Sequence, residues 1–322
     1  MREPAFLKNN KDTWLEYEKS LEEEGQKLDP DRLAKLYIQL TDDLAYARTF
    51  YPKSKIVKYL NGLAARTHLL IYTHKREDRK RIGHFWVEEL PQIFWEARKY
   101  LLYSFLIFTL SFSIGMLSAN YQSDFLRVVL GDGYVNMTIE NIRKGDPLGV
   151  YSSMEGVPMF VYIAYNNIRV LFMTYAAGMF FSIGTAWILF QNGLMLGAFL
   201  GFFQQYNLLW EAIPVIYIHG TLEISAIVIA GGAGIMLGNG ILFPGTYTRI
   251  QSLRKAANKS MKVIIGLVPV IVAAAILESF VTRFTQMPLW VKLAIILVSL
   301  CYIIGYYGVY PWYKYREQIL NE

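Results

Sequence analysis

Through the first part of the chain apolar residues return at helical spacing, and beyond Tyr100 they fuse into long runs. The spacing predicts a helix over Asn10–Glu24, with Trp14, Leu15, Tyr17, Glu18 and Leu21 along one face and Gly25 ending it. Asp29-Pro30-Asp31 opens a second helix, an acceptor standing before a proline at an early helical position. Leu33, Leu36, Tyr37, Leu40, Leu44 and Ala47 carry its apolar stripe to Phe50, and Pro52 closes it. A third helix, Ser54–His74, presents Ile56, Tyr59, Leu60, Leu63, Leu70 and Ile71. The charged run 75–81 then makes a solvated hinge. After it, Phe85, Trp86, Leu90, Ile93, Phe94 and Trp95 form an aromatic stripe. It fits an interfacial helix over 83–99, or equally an amphipathic helix packed on its own domain.

A hydrocarbon core of ~30 Å needs roughly 20 apolar residues per crossing helix. The clearest candidates are Tyr100–Ser118, Met261–Val281 and Leu289–Val309. Between them, Pro158–Gly238 has room for three more, divided as Ile168–Phe190, Leu194–Phe203 and Ala212–Leu237. The middle segment is short, and Gln191-Asn192-Gly193 before it reads as a turn at membrane depth, so a half-span or tilted helix is expected. The fold class is therefore all-α: a polytopic transmembrane bundle of about six spans behind an N-terminal cytoplasmic helical domain. The expected organisation is a helical domain over 1–82, an interfacial helix over 83–99, a membrane domain over 100–310 with an external loop at 119–157, and a cytoplasmic tail over 311–322.

Charge supports the division. Only 18% of the 322 residues are charged, against 54% hydrophobic, and soluble domains carry about 25% charged residues. Nineteen of the 32 Lys and Arg residues and sixteen of the 26 Asp and Glu residues precede Tyr100. Another basic group, Arg249, Arg254, Lys255, Lys259 and Lys262, sits in the 238–262 loop, and Lys314 and Arg316 in the tail. The positive-inside bias puts both termini in the cytoplasm of a multi-pass protein of the inner (cytoplasmic) membrane. The first thirty residues hold no apolar core, so no cleavable signal peptide is expected and Tyr100–Ser118 acts as the first membrane signal. The net charge of +6 comes with interspersed acids beside membrane segments, which disfavours nucleic acid as a partner. The single cysteine, Cys301, lies in an apolar run and excludes a disulfide framework or a Cys-based zinc site.

Ionisable groups inside spans cost on the order of 2.5–3.5 kcal/mol each on insertion scales, so those present mark a candidate buried polar site. They are Asn166, Asn167 and Arg169; Gln191 and Asn192; His219 and Glu223; and Glu278. His219 and Glu223, four apart, share a helix face. Such a pair can glue two helices, relay a proton, hold a headgroup or share a cation. Zinc hydrolysis usually wants three protein ligands, and no HExxH motif is present, so no catalytic, cofactor or metal residue is assigned. Arg169 is the natural counter-charge for Glu223 or Glu278, unless it and the two asparagines sit in the outer headgroups. Small residues mark close crossings: Gly193, Gly197 and Gly201 at four-residue spacing, within the chain or in a homodimer, together with Gly220, Gly231 and Gly234.

Several of these residues carry a resemblance. Trp14-Leu15-Glu16, Leu33 to Tyr37, the stretch Asp43 to Arg48, Leu60-Asn61-Gly62-Leu63 and Arg66-Thr67-His68 contribute in the N-terminal region. In the membrane region Asn166-Asn167, Asn192-Gly193, His219-Gly220-Thr221-Leu222-Glu223 with its small-residue run, and Glu278-Ser279-Phe280 contribute. Together, over nearly the whole chain, they resemble the stage II sporulation protein M family. Ile224-Ser225-Ala226 stands where members often have a proline-alanine pair, implying a straighter helix. The resemblance implies an integral membrane protein with no accepted catalytic activity and no cofactor. It further implies a scaffold that positions partner proteins in envelope (peptidoglycan) remodelling; sporulation itself need not apply. The expected partners are the lipid bilayer and envelope or cytoplasmic proteins. The rival reading is a transporter, channel or flippase built on Arg169, His219, Glu223 and Glu278. An intramembrane enzyme using His219 and Glu223 is a third.

Overall fold

A computed structural model describes residues 2–24, 30–73, 80–121, 123–151, 156–284 and 286–316. Contacts divide the chain into two compact units, residues 1–83 and 84–322. Among the described residues there is no strand.

The N-terminal unit is built on α1 (Glu3–Glu24), α2 (Pro30–Phe50) and α3 (Lys55–Thr73). Helix α1 starts well before Asn10, and Phe6 in its added turns is buried in the core. The expected Gly25 and Asp29 boundaries and the 75–79 part of the hinge lie outside the described residues. One core holds Phe6, Trp14, Tyr17, Leu40, Leu44, Ala47, Ile56, Leu60, Leu63 and Ala64. Each large side chain there contributes about 1.5–3 kcal/mol on leaving water. Two polar contacts fix the register: the Trp14 indole N–H donates to Asp43 Oδ2 at 2.8 Å, and Tyr17 OH to Thr67 Oγ1 at 2.8 Å.

The second unit begins at the end of α4 (Lys80–His84), which runs through a π-helical turn, Phe85–Glu89, into α5 (Leu90–Tyr121). No break separates 83–99 from the first span. Leu90, Ile93 and Phe94 belong to the main core of the bundle and Ala97 is also buried, so one face of this segment is covered by protein. Two amphipathic helices follow, α6 (Ser123–Leu130) and α7 (Asp132–Arg143). Gly131, at φ +85°, makes the turn between them, a conformation that favours glycine. Then come α8 (Gly156–Ala176), α9 (Ile183–Gln205), α10 (Leu209–Leu242) and α11 (Arg249–Ile276), the last extended by a π-helical turn, Leu277–Thr282. Helix α12 (Leu289–Ile304) passes through another π-helical turn into α13 (Tyr310–Tyr315). Of the expected 311–322 tail, residues 317–322 lie outside the described residues.

Among the described residues, five helices are long and apolar enough to cross a membrane: Ile82–Tyr121, Ile183–Gln205, Leu209–Leu242, Arg249–Thr282 and Leu289–Tyr315. Helix α8, interrupted by Asn166, Asn167 and Arg169, reaches the same two levels. At one end Phe160 lies 6.2 Å, ring to ring, from Phe280; at the other Tyr175 OH is 3.3 Å from Ser260 Oγ. Its 21 residues rise about 31 Å, the thickness of the hydrocarbon core. The six helices alternate in direction. Tyr100 meets Asn239, Glu89 meets Lys262 and Trp86 meets Tyr306 at the face bearing the α10–α11 loop, hereafter the basic face. Gln205 meets Ala119 at the far face, below α6 and α7.

The expected divisions at 168–203 are corrected. Residues 177–182, inside the expected span Ile168–Phe190, form a tight turn, with Phe181 and Ser182 at φ 54° and 66°. Side-chain hydrogen bonds tie the turn region to its neighbours: Thr185 Oγ1 donates to Thr174 O of α8 at 2.7 Å and Ser182 Oγ to Ile235 O of α10 at 3.1 Å. Gln191-Asn192-Gly193 is not a turn but lies inside the 23-residue α9. Its glycine serves a helix contact. Gly193, Gly197 and Gly201 pack against Phe108, Phe112 and Met116 of the parallel α5. Helix α10 is the centre of the bundle, packed on α5, α8, α9, α11 and α12.

Candidate functional site

Three ionisable side chains from two helices meet in the far half of the bundle. His219 and Glu223 come from α10, where four-residue spacing sets them one turn apart. Glu278 comes from the π-helical turn that ends the α11 span. One ligand-type atom from each residue lies within 4.8 Å of the other two. The His219 and Glu278 side chains are 6% and 17% exposed. His219 Nε2 stands 3.9 Å from Glu278 Oε1, too far for a direct hydrogen bond.

Neighbouring polar groups orient two of the three. Thr282 Oγ1 lies 3.0 Å from His219 Nδ1 and 3.2 Å from the Leu277 carbonyl oxygen. Thr282 thus ties the imidazole to the π-helical turn that carries Glu278. Asn167 of α8 donates through Nδ2 to Glu223 Oε1.

The cluster borders a cavity of about 430 Å³. Phe108, Asn192, Phe199 and Ile227 wall it, and Val129, Leu130, Tyr134 and Val150 cover it from the far face. Burial pushes the Tyr134 phenol up to about 12, opposed by its hydrogen bond to Thr138, so at neutral pH the cover carries no charge there. Gly220 lines the same cavity. It does not admit a neighbouring backbone: a Cβ would meet only Ile216 and Ile224 of its own helix, at 3.8 and 3.6 Å.

Not every candidate joins the cluster. Asn167 does, and Asn192 lines the cavity while donating to Ile188 O at 2.8 Å. Asn166 and Arg169 face outward on α8. Arg169 makes no ion pair with Glu223 or Glu278 among the described residues, which corrects its expected role as their counter-charge. Arg169 lies two residues beyond Asn167, and a two-residue step on a helix turns it about 200° away from the cluster. Thr282 escaped the sequence reading, although it follows Glu278 by one helical repeat.

On the basic side of this site glycines bring the helices close together. Gly231 packs on Ser104 and Leu189, Gly232 on Leu101, Gly234 on Thr174 and Thr185, and Gly238 on the Gly178–Ser182 turn. Ser104 Oγ spends its proton on Val228 O at 2.6 Å.

The sequence pattern described as Stage II sporulation protein M matches residues 104–283, which contain the whole cluster and both glycine series. The chain belongs to the stage II sporulation protein M family. Residues 4–73 match a different pattern, described as a domain of unknown function (DUF8413). The likeness drawn across nearly the whole chain thus divides, with the membrane unit carrying the family. No curated protein matches the chain, and no solved structure does. In this family member the His219-Gly220-Thr221-Leu222-Glu223 element supplies two of the three clustered side chains and one wall of the cavity.

Proposed function

We propose that the chain is a membrane scaffold of the cell envelope. Its bundle serves as the anchor, and its N-terminal unit serves as the docking surface for partner proteins on the cytoplasmic side. The observation that carries this reading is the tight packing of the basic half of the bundle. Gly231, Gly232, Gly234 and Gly238 bring their helix against its neighbours there, the kind of fixed helix contact that suits an anchor.

Two further features agree. The N-terminal unit keeps Ile38, Phe50 and Leu69 at 60%, 58% and 62% exposure, and exposed apolar residues of this size mark contact sites when they gather in a patch. Arg249, Arg254, Lys255, Lys259 and Lys262 all belong to the face at which α5 begins and α13 ends. The positive-inside bias makes that face cytoplasmic and brings both termini to it. Envelope remodelling as the setting of those partners is our proposal, drawn from the resemblance to the stage II sporulation protein M family.

The test has two arms. Photo-crosslinkers at Ile38 and Leu69 in cells should capture a defined envelope-remodelling protein, and Ile38→Glu should abolish both capture and phenotype. Protein reconstituted in liposomes should pass neither ions nor lipid. Flux that disappears in Glu223→Gln would replace the scaffold with a transport protein.

A further inference from the structure

We propose that a second cavity, at the basic face between the start of α5, the end of α10 and the first turns of α11, binds the phosphate of one anionic phospholipid from the adjoining leaflet. The inference rests on this cavity alone and stands or falls separately from the scaffold reading.

The cavity encloses about 580 Å³. Its charged lining is two lysines, Lys255 and Lys259, against one acid, Glu96, a net charge of +1. Glu96 is already matched, by an ion pair with Lys259 and a hydrogen bond from Gln92. Lys255 has no carboxylate partner among the described residues. Its Nζ lies 4.8 Å from the centre of the Tyr247 ring and 3.4 Å from the Tyr247 hydroxyl. The lining therefore favours an anion over a cation or a neutral headgroup. Lys255 and Lys259, four apart on α11, have Cβ atoms about 5–6 Å apart on one face, so both ammonium groups reach the oxygens of a single phosphate.

Fixed elements hold the walls. A Cβ on Gly240 would lie 2.5 Å from the Ala256 Cβ, so α10 is seated directly against the α11 turn that bears the two lysines. Asn239 Nδ2 donates to Tyr100 OH at 2.8 Å and ties α10 to α5. In the loop, Tyr247 N–H donates to Pro244 O at 3.2 Å, and Thr248 and Gln251 cap each other at the start of α11. That helix end adds its partial positive charge.

Depth selects a lipid over a soluble phosphate. The apolar run of α11 begins at Met261, so Lys259 and Lys255 stand about 3 Å and 9 Å before it along the helix axis, within the headgroup layer. Phe243 and Tyr247 line the cavity while 71% and 51% exposed, as aromatic rings at headgroup depth do. Tyr103, one turn beyond the cavity-lining Tyr100, is exposed as well, where an acyl chain would continue.

Full-length protein in detergent, stripped of lipid, would be titrated with dioleoyl phosphatidylglycerol or dioleoyl phosphatidylcholine and followed by native mass spectrometry. One phosphatidylglycerol per chain is expected, with phosphatidylcholine at least about 10-fold weaker, a comparison that needs no variant. Lys255→Gln should weaken phosphatidylglycerol binding about 10-fold, as loss of a charge-assisted hydrogen bond does. Arg254→Gln removes an equal charge outside the cavity lining and should change it less than about 2-fold. Equal losses in the two variants would assign binding to diffuse surface charge and overturn the proposal. Equal affinity for the two lipids, or no one-to-one complex, overturns it too. Glycerophosphoglycerol, the same headgroup without acyl chains, should not displace the lipid at millimolar concentration; displacement would make the cavity a site for a soluble phosphate ester and overturn the lipid assignment.

Discussion

Gly197 of α9 lies directly against the Phe112 carbonyl oxygen of α5, and a Cβ there would also come within 2.7 Å of the Met116 amide nitrogen. Both obstacles are backbone, which cannot swing away as a side chain can. Gly197→Leu must therefore push two parallel helices apart. The expected cost is at least about 1–3 kcal/mol, the range for overpacking, read as a lower melting temperature in detergent. Unchanged stability would show that this crossing is not a close one.

Gly220 makes the opposite case within the same family of small residues. An added methyl meets only side chains of its own helix at ordinary contact distance. Gly220→Ala should be neutral or stabilising by up to about 1 kcal/mol, because alanine is the better helix former. A large loss of thermal stability would mean that another element closes over this position.

In the N-terminal unit Tyr17 and Thr67 should respond unequally. Thr67 Oγ1 donates to Leu63 O at 2.9 Å and accepts from Tyr17. Tyr17→Phe leaves Thr67 satisfied and should cost about 1 kcal/mol, whereas Thr67→Val strands a buried phenol and should cost about 1–3 kcal/mol. Chemical denaturation followed by far-UV circular dichroism would rank the two. The reverse order would refute the assigned donor and acceptor.

Alkali should loosen the same unit. Burial first, and then the hydrogen bond to Glu18, push the Tyr59 phenol up to about 12. The unfolded phenol titrates near 10, so between these values the unfolded chain loses its proton first. The contribution is whole below about pH 10 and disappears as the pH rises toward 12. Tyr59→Phe should therefore show a shallower fall in stability over that window than the wild type. Parallel curves for the two proteins would refute the assignment.

Ser279, next to the cluster, has a fully buried hydroxyl with no hydrogen-bond partner among the described residues. Removing an unsatisfied polar group relieves its desolvation cost. Ser279→Ala should leave the melting temperature unchanged or raise it, and a clear drop would reveal a partner for this hydroxyl.

The sequence by itself determined the helical class, the division into a charged N-terminal unit and an apolar bundle, and the count of about six crossings. These follow from one-dimensional quantities, namely the period of apolar residues and the length of apolar runs. It also singled out His219, Glu223, Glu278 and Asn167, because a polar group in an apolar run is visible without coordinates. Only the tertiary structure decided that those four meet, since Glu278 lies 55 positions beyond Glu223 and no local rule joins them. It also turned Arg169 away from the acids, through a helix phase that no charge count contains. The same holds for Gln191-Asn192-Gly193. A glycine that permits a turn and a glycine that permits a helix contact are the same residue, and the backbone of α5 at Phe108 makes the choice.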